Sequence, residues 1–190
     1  MAAHLKKALC LNAYLVFIDE SGFLMAPLVR RTWAPRGKTP ILYQRTRSYK
    51  KVSAITALCL CPDQKKIHLY FRLHVNSSIT AVVVKPFLQL LFRQLPAPLI
   101  LVWDRLKAHR AHVVQRLFSR KLNRYNVFFP PYAPELNPVE YVWGYLKMNP
   151  LGNMPVPDVT ELANLARKNG RSLRHKQTLL HSFLKHSSLF

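Results

Sequence analysis

Between Pro98 and Asp104 the chain reads Leu99, Ile100, Leu101, Val102, Trp103, five apolar residues with no polar break. A strand with one wet face alternates, so this run predicts a strand buried on both faces. Such a strand needs cover above and below, which means helices on both sides of a sheet. The flanking patterns supply the other pieces. Residues 13–18 are rich in strand formers and stop at Asp19, Glu20, Ser21, Gly22, a turn signal. Residues 52–61 and 66–75 alternate around a Pro62-Asp63 turn and predict an antiparallel hairpin. Residues 79–94 carry Ile79, Val82, Val83, Phe87, Leu90 and Leu91 at helical spacing, starting at Asn76 to Ser78, with Pro86 bending or dividing the helix. Residues 110–122 predict a helix and 125–129 a short strand. Asn137 as N-cap and Pro138 at the first helical position open a helix to about Lys147. Residues 159–168 and 173–185 predict two basic amphipathic helices split by Gly170. The class is α/β, a mixed sheet with helices on its faces, at a length that suits one domain.

The charge narrows the function. There are 29 Lys plus Arg against 8 Asp plus Glu, a formal +21. The excess runs along the whole chain and implies a phosphate-rich partner. A membrane is not that partner: the sequence has no apolar run of spanning length and no amphipathic anchor. The first ten residues lack the apolar segment of a signal peptide. Cys10, Cys59 and Cys61 lack zinc spacing and read as reduced, structural thiols of an intracellular protein.

Five of the eight acids fall in three short segments: Asp19 and Glu20, Asp104, and Glu135 with Glu140. Each has a local reading. Asp19 suits the start of a type I turn, Asp104 a helix cap, and Glu140 the third position of a capping box from Asn137. Together they suggest more. Two end apolar strands, and ligands of open sheets gather at strand carboxyl ends. A polyanion-binding protein that keeps carboxylates together reconciles them with phosphate most simply through a divalent cation. Mg²⁺ takes oxygen ligands and leaves positions for water and phosphate. Mn²⁺ accepts the same donors.

Four segments carry a resemblance: F-I-D-E-S-G-F, R-T-W-A-P-R-G-K-T-P, V-W-D-R-L-K-A-H-R and P-P-Y-A-P-E-L-N-P-V-E-Y-V-W-G-Y-L-K. From about residue 13 to 185 the chain resembles the catalytic domain of bacterial insertion-sequence transposases of the mariner superfamily. The resemblance implies an RNase H-like fold, with a central mixed five-stranded sheet flanked by helices, over a single domain spanning 1–190. Within it, about 1–12 are a lead-in and about 158–186 the basic helices. It implies a D-D-E triad on Asp19, Asp104 and Glu140, holding two Mg²⁺ ions, or Mn²⁺. The gap of 140 − 104 = 36 positions is close to the family's. Members hydrolyse DNA at the element's ends and join the freed 3′-hydroxyl to target DNA. The implied partners are transposon-end and target DNA, a second copy on that DNA, and a separately encoded helix-turn-helix half, since relatives carry such a region and this chain starts close to the first catalytic strand. The implied location is the bacterial cytoplasm, at the nucleoid. A catalytically silent DNA-binding remnant and an RNase H-like nuclease without strand transfer are the alternatives.

Other residues complete the expectations. Glu20 and Glu135 are expected outside the metal site. His109 sits where the resembling family often has His, and reads as a phosphate contact or a steadying group; a surface histidine is the alternative. Arg30, Arg31, Arg36 and Lys38, with Trp33 among them, form a loop suited to a phosphate chain. Arg105 and Lys107 beside Asp104 are further expected DNA contacts. Trp103 and Trp143 read as core.

Overall fold

The computed structural model describes residues 7–8, 10–26, 29–41, 43, 50–96, 98–119, 123–149 and 151–187. Most of the N-terminal lead-in, Pro27, Arg45, Arg47, Pro150 and the end of the helix expected over 110–122 lie outside them.

Five strands form one sheet: β1 (Tyr14–Leu24), β2 (Lys51–Leu60), β3 (Ile67–Val75), β4 (Leu99–Trp103) and β5 (Arg124–Phe128), in the order β3-β2-β1-β4-β5. β1, β2 and β3 are antiparallel neighbours, whereas β4 runs parallel to both β1 and β5. All five residues of β4 are buried, as their unbroken apolar run demands.

Alternation along the strands sends side chains into two cores. Leu15, Phe17, Phe23, Ile100 and Val102 pack with residues of α4 (Val139–Met148), α5 (Val159–Leu173) and α6 (Gln177–His186). Val16, Ile18, Leu99, Leu101 and Trp103 pack on the other side with α1 (Ala81–Gln94) and α3 (His112–Ser119). A short α2 (Lys107–Arg110) links β4 to α3. Pro86 sits on the exposed side of α1 without dividing it. Cys59 and Cys61 are buried free thiols.

Three expectations are corrected. The turn at Asp19–Gly22 is instead strand: β1 runs on to Leu24, because β2 pairs with it through Leu24 and Lys51. A ladder closed over distant sequence outweighs local turn chemistry. The helix expected over 110–122 starts later, as α3 from His112 to Ser119 among the described residues, because Ala111, with an extended ψ of 137°, cuts it off from Arg110, the last residue of α2. Gly170 does not split the C-terminal helices. It lies inside α5, where a Cβ would stand 2.6 Å from the Phe71 ring. Only a glycine lets the helix come this close to β3, and the break falls instead at Arg174 to Lys176.

That break secures the sheet edge. β3 is an outer strand, and Gln177 both donates to the Ile67 carbonyl and accepts from the Ile67 N–H, each at 3.0 Å. Arg174 donates to the Leu69 carbonyl at 2.8 Å. The side chains thus occupy backbone groups that would otherwise invite another strand.

Candidate active site

β1 and β4 are adjacent and parallel, with Phe17 level with Val102. Two residues further, the same offset sets Asp19 level with Asp104. Asp19 faces the core layer of α4, where the Trp143 indole N–H donates to its Oδ2 at 2.9 Å. Burial, and then the charge of Glu140, push the Asp19 carboxyl up from 3.8 to about 7, although the Trp143 bond pulls the other way.

Asp104 follows the last residue of β4. Its Oδ1 accepts from the Leu106 N–H at 3.0 Å and pairs with His109 Nδ1 at 2.7 Å, while Nδ1 also hydrogen-bonds the Asp104 carbonyl at 3.2 Å. Partial burial opposes its charge, but these bonds and the imidazole hold the carboxyl below its ordinary value. Asp104 does not cap the following helix, whose cap position is Leu106; its side chain instead accepts the Leu106 N–H in a tight turn ahead of α2.

Glu140 stands in the first turn of α4. Asn137 Oδ1 accepts the Val139 N–H at 3.1 Å and so caps that turn. The capping box does not form, because the Asn137 N–H is given to the Pro134 carbonyl at 2.9 Å. Glu140 is exposed instead, which leaves its carboxylate available to a ligand.

These three acids line one cavity of about 530 Å³, together with Arg105, Tyr132 and Asn137. A second cavity, of about 200 Å³, is apolar and carries no carboxylate; Phe23, Met25 and Leu162 are among its walls. The larger one is therefore the candidate site. Among the described residues no three Asp, Glu, His or Cys side chains are gathered tightly enough to share one ion as they stand. Uncompensated carboxylates repel, and Asp104 is drawn toward His109. The donor set itself suits a hard divalent ion: carboxylate oxygens from separate elements, one of them raised to about 7 by burial and then by its acidic neighbour.

His109 is the clearest departure from the expected DNA contacts. Its side chain has no exposed surface. Nε2 lies 2.8 Å from Glu20 Oε1, and the ring stacks on Trp103 with centroids 4.0 Å apart. With a carboxylate on each ring nitrogen, both nitrogens donate, as in imidazolium. Burial works against that charge, but the bonds to Asp104 and Glu20 outweigh it and push His109 up to about 9. Its burial leaves no surface for a phosphate contact in this arrangement, and its two carboxylate partners suit the expected steadying role. Glu20 lies outside the cavity lining, as expected, yet it is not idle: sheet alternation turns it to the opposite face from Asp19, onto His109. Continuing β1 past Asp19 would have exposed that signal.

Of the other expected DNA contacts, Arg105 lines the cavity and Lys107 is exposed beside it. Arg30, Arg31, Arg36 and Lys38 are exposed on a separate loop and line no part of the cavity. Arg30 is tied there by Asn153, whose amide bonds the Arg30 N–H at 2.6 Å and its carbonyl at 2.9 Å. Trp33 is fully exposed. Glu135 lies in a single 3₁₀ turn (Pro134–Leu136), outside the lining. Trp103 and Trp143 are core residues, as read, but Trp143 is also the donor to Asp19, a role its apolar setting concealed.

The sequence pattern of a family described as DDE superfamily endonuclease matches residues 14–163. Among solved structures, the Mos1 transposase paired-end complex with left transposon end superposes over 98% of this chain and 54% of that chain, with a TM-score of 0.67 at 16% identity. The mariner Mos1 paired end complex with Mg gives 97% and 56%, 0.66 and 18%. The catalytic domain of Mos1 mariner transposase gives 97% and 83%, 0.62 and 14%. This chain thus spans about half the length of the Mos1 chains in those complexes. No curated protein matches. The likeness is one of fold, and the fold is RNase H-like, as the motifs led us to expect.

Proposed function

The chain belongs to the DDE superfamily endonucleases, and from that premise we propose that it is the catalytic portion of a transposase. Its substrate would be DNA at the ends of a mobile element. A phosphodiester would be hydrolysed there, and the freed 3′-hydroxyl would then attack target DNA. The observation that carries this reading is that Asp19, Asp104 and Glu140, from two adjacent parallel strands and one helix start, line a single cavity.

Each residue has a task. Asp19, Asp104 and Glu140 would hold the divalent metal, two Mg²⁺ or Mn²⁺ ions in the full proposal. When bound, such ions activate an attacking oxygen and stabilise a leaving one. Trp143 orients Asp19 through Oδ2. Asp19, lifted to about 7 without a metal, would hold one as the carboxylate. The Asn137 cap fixes the turn that carries Glu140. Arg105, exposed on the cavity wall, would meet a phosphate there. The loop of Arg30, Arg31, Arg36 and Lys38 would follow the DNA backbone outside the cavity.

Partners and range belong to the same proposal. The Mos1 structures include complexes with a transposon end, with Mn and with Mg. By analogy this chain would act as a homodimer on DNA, with a separately encoded helix-turn-helix half reading the ends, in the interior of a bacterial cell at the nucleoid. Its catalytic domain would span residues 1–190. Among the described residues no helix is long and apolar enough to cross a membrane.

The test is a product assay with labelled element ends, a plasmid target and Mn²⁺. Joined products are expected, and cut ends without joining would favour the plain nuclease. Asp104→Asn and Glu140→Gln should abolish cutting while binding DNA as before. Metal-dependent nicking that survives either substitution defeats the reading.

A further inference from the structure

A buried charged pair lies directly behind the proposed metal site, and neither member touches the cavity. Glu20 projects from β1 to the face opposite Asp19, and its side chain is 11% exposed. His109, on α2, is wholly buried and joins Glu20 to Asp104 through its two ring nitrogens, at 2.8 and 2.7 Å. Taking both groups out of water offsets most of what their pairing contributes, so a chain gains little stability from such a pair. Here the pair acts on one atom. Asp104 Oδ1 receives the Leu106 N–H and lies 2.7 Å from His109 Nδ1, which also hydrogen-bonds the Asp104 carbonyl at 3.2 Å, whereas Oδ2 has no hydrogen bond among the described residues.

We infer that Glu20 and His109 are positioning residues that pin Asp104 Oδ1 and leave Oδ2 as the oxygen presented to the metal. The inference rests on the metal-site reading above. The imidazole is itself immobilised. Trp103 stacks on it at an interplanar angle of 11°. Trp103 Nε1 donates to Asn126 Oδ1 at 2.8 Å, Asn126 Nδ2 to Gln115 Oε1 at 2.9 Å, and Gln115 Nε2 to the His109 carbonyl at 2.5 Å. The chain of bonds begins on the ring's stacking partner and ends on the histidine's own backbone, so neither ring rotation nor a shift of α2 is free. Glu20 closes the remaining end. Its Oε1 takes Nε2–H, while Oε2 is buried with no partner. A carboxylate left half-satisfied inside a fold is a cost with no packing reason, and the hold on His109 supplies one. Groups that orient a metal ligand from behind commonly change metal affinity 10–100-fold when altered.

The test uses the full chain and Mn²⁺ alone, titrated by electron paramagnetic resonance well below each variant's melting temperature. Glu20→Gln keeps size and an acceptor and removes the charge. It should weaken Mn²⁺ binding at least about tenfold and leave metal-free DNA affinity unchanged. A merely structural role would lower both together. Because Glu20 acts through His109, Glu20→Gln with His109→Asn should bind Mn²⁺ no more weakly than His109→Asn alone. Unchanged Mn²⁺ affinity in Glu20→Gln, or losses that multiply in the double variant, overturns the inference. Asp104→Asn separates it from the premise. If wild type binds Mn²⁺ and Asp104→Asn does not, the metal site stands whatever Glu20→Gln does. If Asp104→Asn binds like wild type, the metal site fails and this inference fails with it.

Discussion

Replacing Asp19 with Asn should stabilise the metal-free protein, a direction opposite to most substitutions of buried polar groups. The carboxyl is lifted from 3.8 to about 7, first by burial and then by Glu140. A group whose folded pKa lies above its unfolded value costs stability as pH rises: the unfolded chain sheds the proton near 4, while the folded chain keeps it until about 7. A rise of roughly three pH units at 1.36 kcal/mol each gives a ceiling of about 4 kcal/mol. Solvent reaches part of the side chain, so screening brings this to about 2 kcal/mol. The amide keeps an oxygen for the Trp143 N–H and carries no charge. At pH 8, without metal, Asp19→Asn should therefore be about 2 kcal/mol more stable in urea titrations. Its melting point should be higher by roughly 4–8 °C for a chain of this size. By pH 5 the gap should shrink by more than half, since wild-type Asp19 is then protonated in the fold. Saturating Mg²⁺ should raise the wild-type melting point and leave the variant's unchanged. An Asn variant less stable than wild type at pH 8, or a gap that persists at pH 5, refutes the reasoning about a desolvated, crowded carboxylate.

Other outcomes follow from single features. Arg105→Ala should weaken DNA binding and reduce the slope of log affinity against log salt by about 1, read by fluorescence anisotropy across a salt series, because Arg105 is exposed on the cavity wall. Trp33→Ala should leave the melting point unchanged and lower affinity for single-stranded DNA, because the indole is fully exposed and buries nothing. Gly170→Ala should destabilise by about 1 kcal/mol despite alanine's better helix propensity, because the new Cβ meets the Phe71 ring; Phe71→Leu in the same chain should restore part of the loss in urea titrations.

The parts legible in sequence were those set by local pattern. The run from Leu99 to Trp103 announced a strand covered on both faces, and it is one. The hairpin of β2 and β3 followed from alternation around the Pro62-Asp63 turn, but β2, whose alternation reads as a half-buried strand, is buried on both faces because it lies inside the sheet. Asp19, Asp104 and Glu140 were expected to meet from two strand ends and a helix start; they do line one cavity, but Asp19 stands within β1 rather than at its end, level with the end of the parallel β4. What stayed hidden depended on partners far along the chain. Asp19–Gly22 carries turn chemistry, yet β2 holds it as strand, and nothing local says so. That one error also obscured Glu20, whose orientation follows only once β1 is known to continue. Gly170 reads as a break unless the ring of Phe71, ninety-nine positions earlier (170 − 71), is known to lie against it. His109 looked like a phosphate contact because charge was visible in the sequence and burial was not.

Mn²⁺ soaked into crystals of the chain puts the whole account to its most direct trial. Anomalous scattering should appear in the cavity floored by Asp19, Asp104 and Glu140, at roughly 2.0–2.3 Å from their carboxylate oxygens, with His109 still seated between Glu20 and Asp104. Peaks confined elsewhere, or a cavity that stays empty at saturating Mn²⁺, would contradict it.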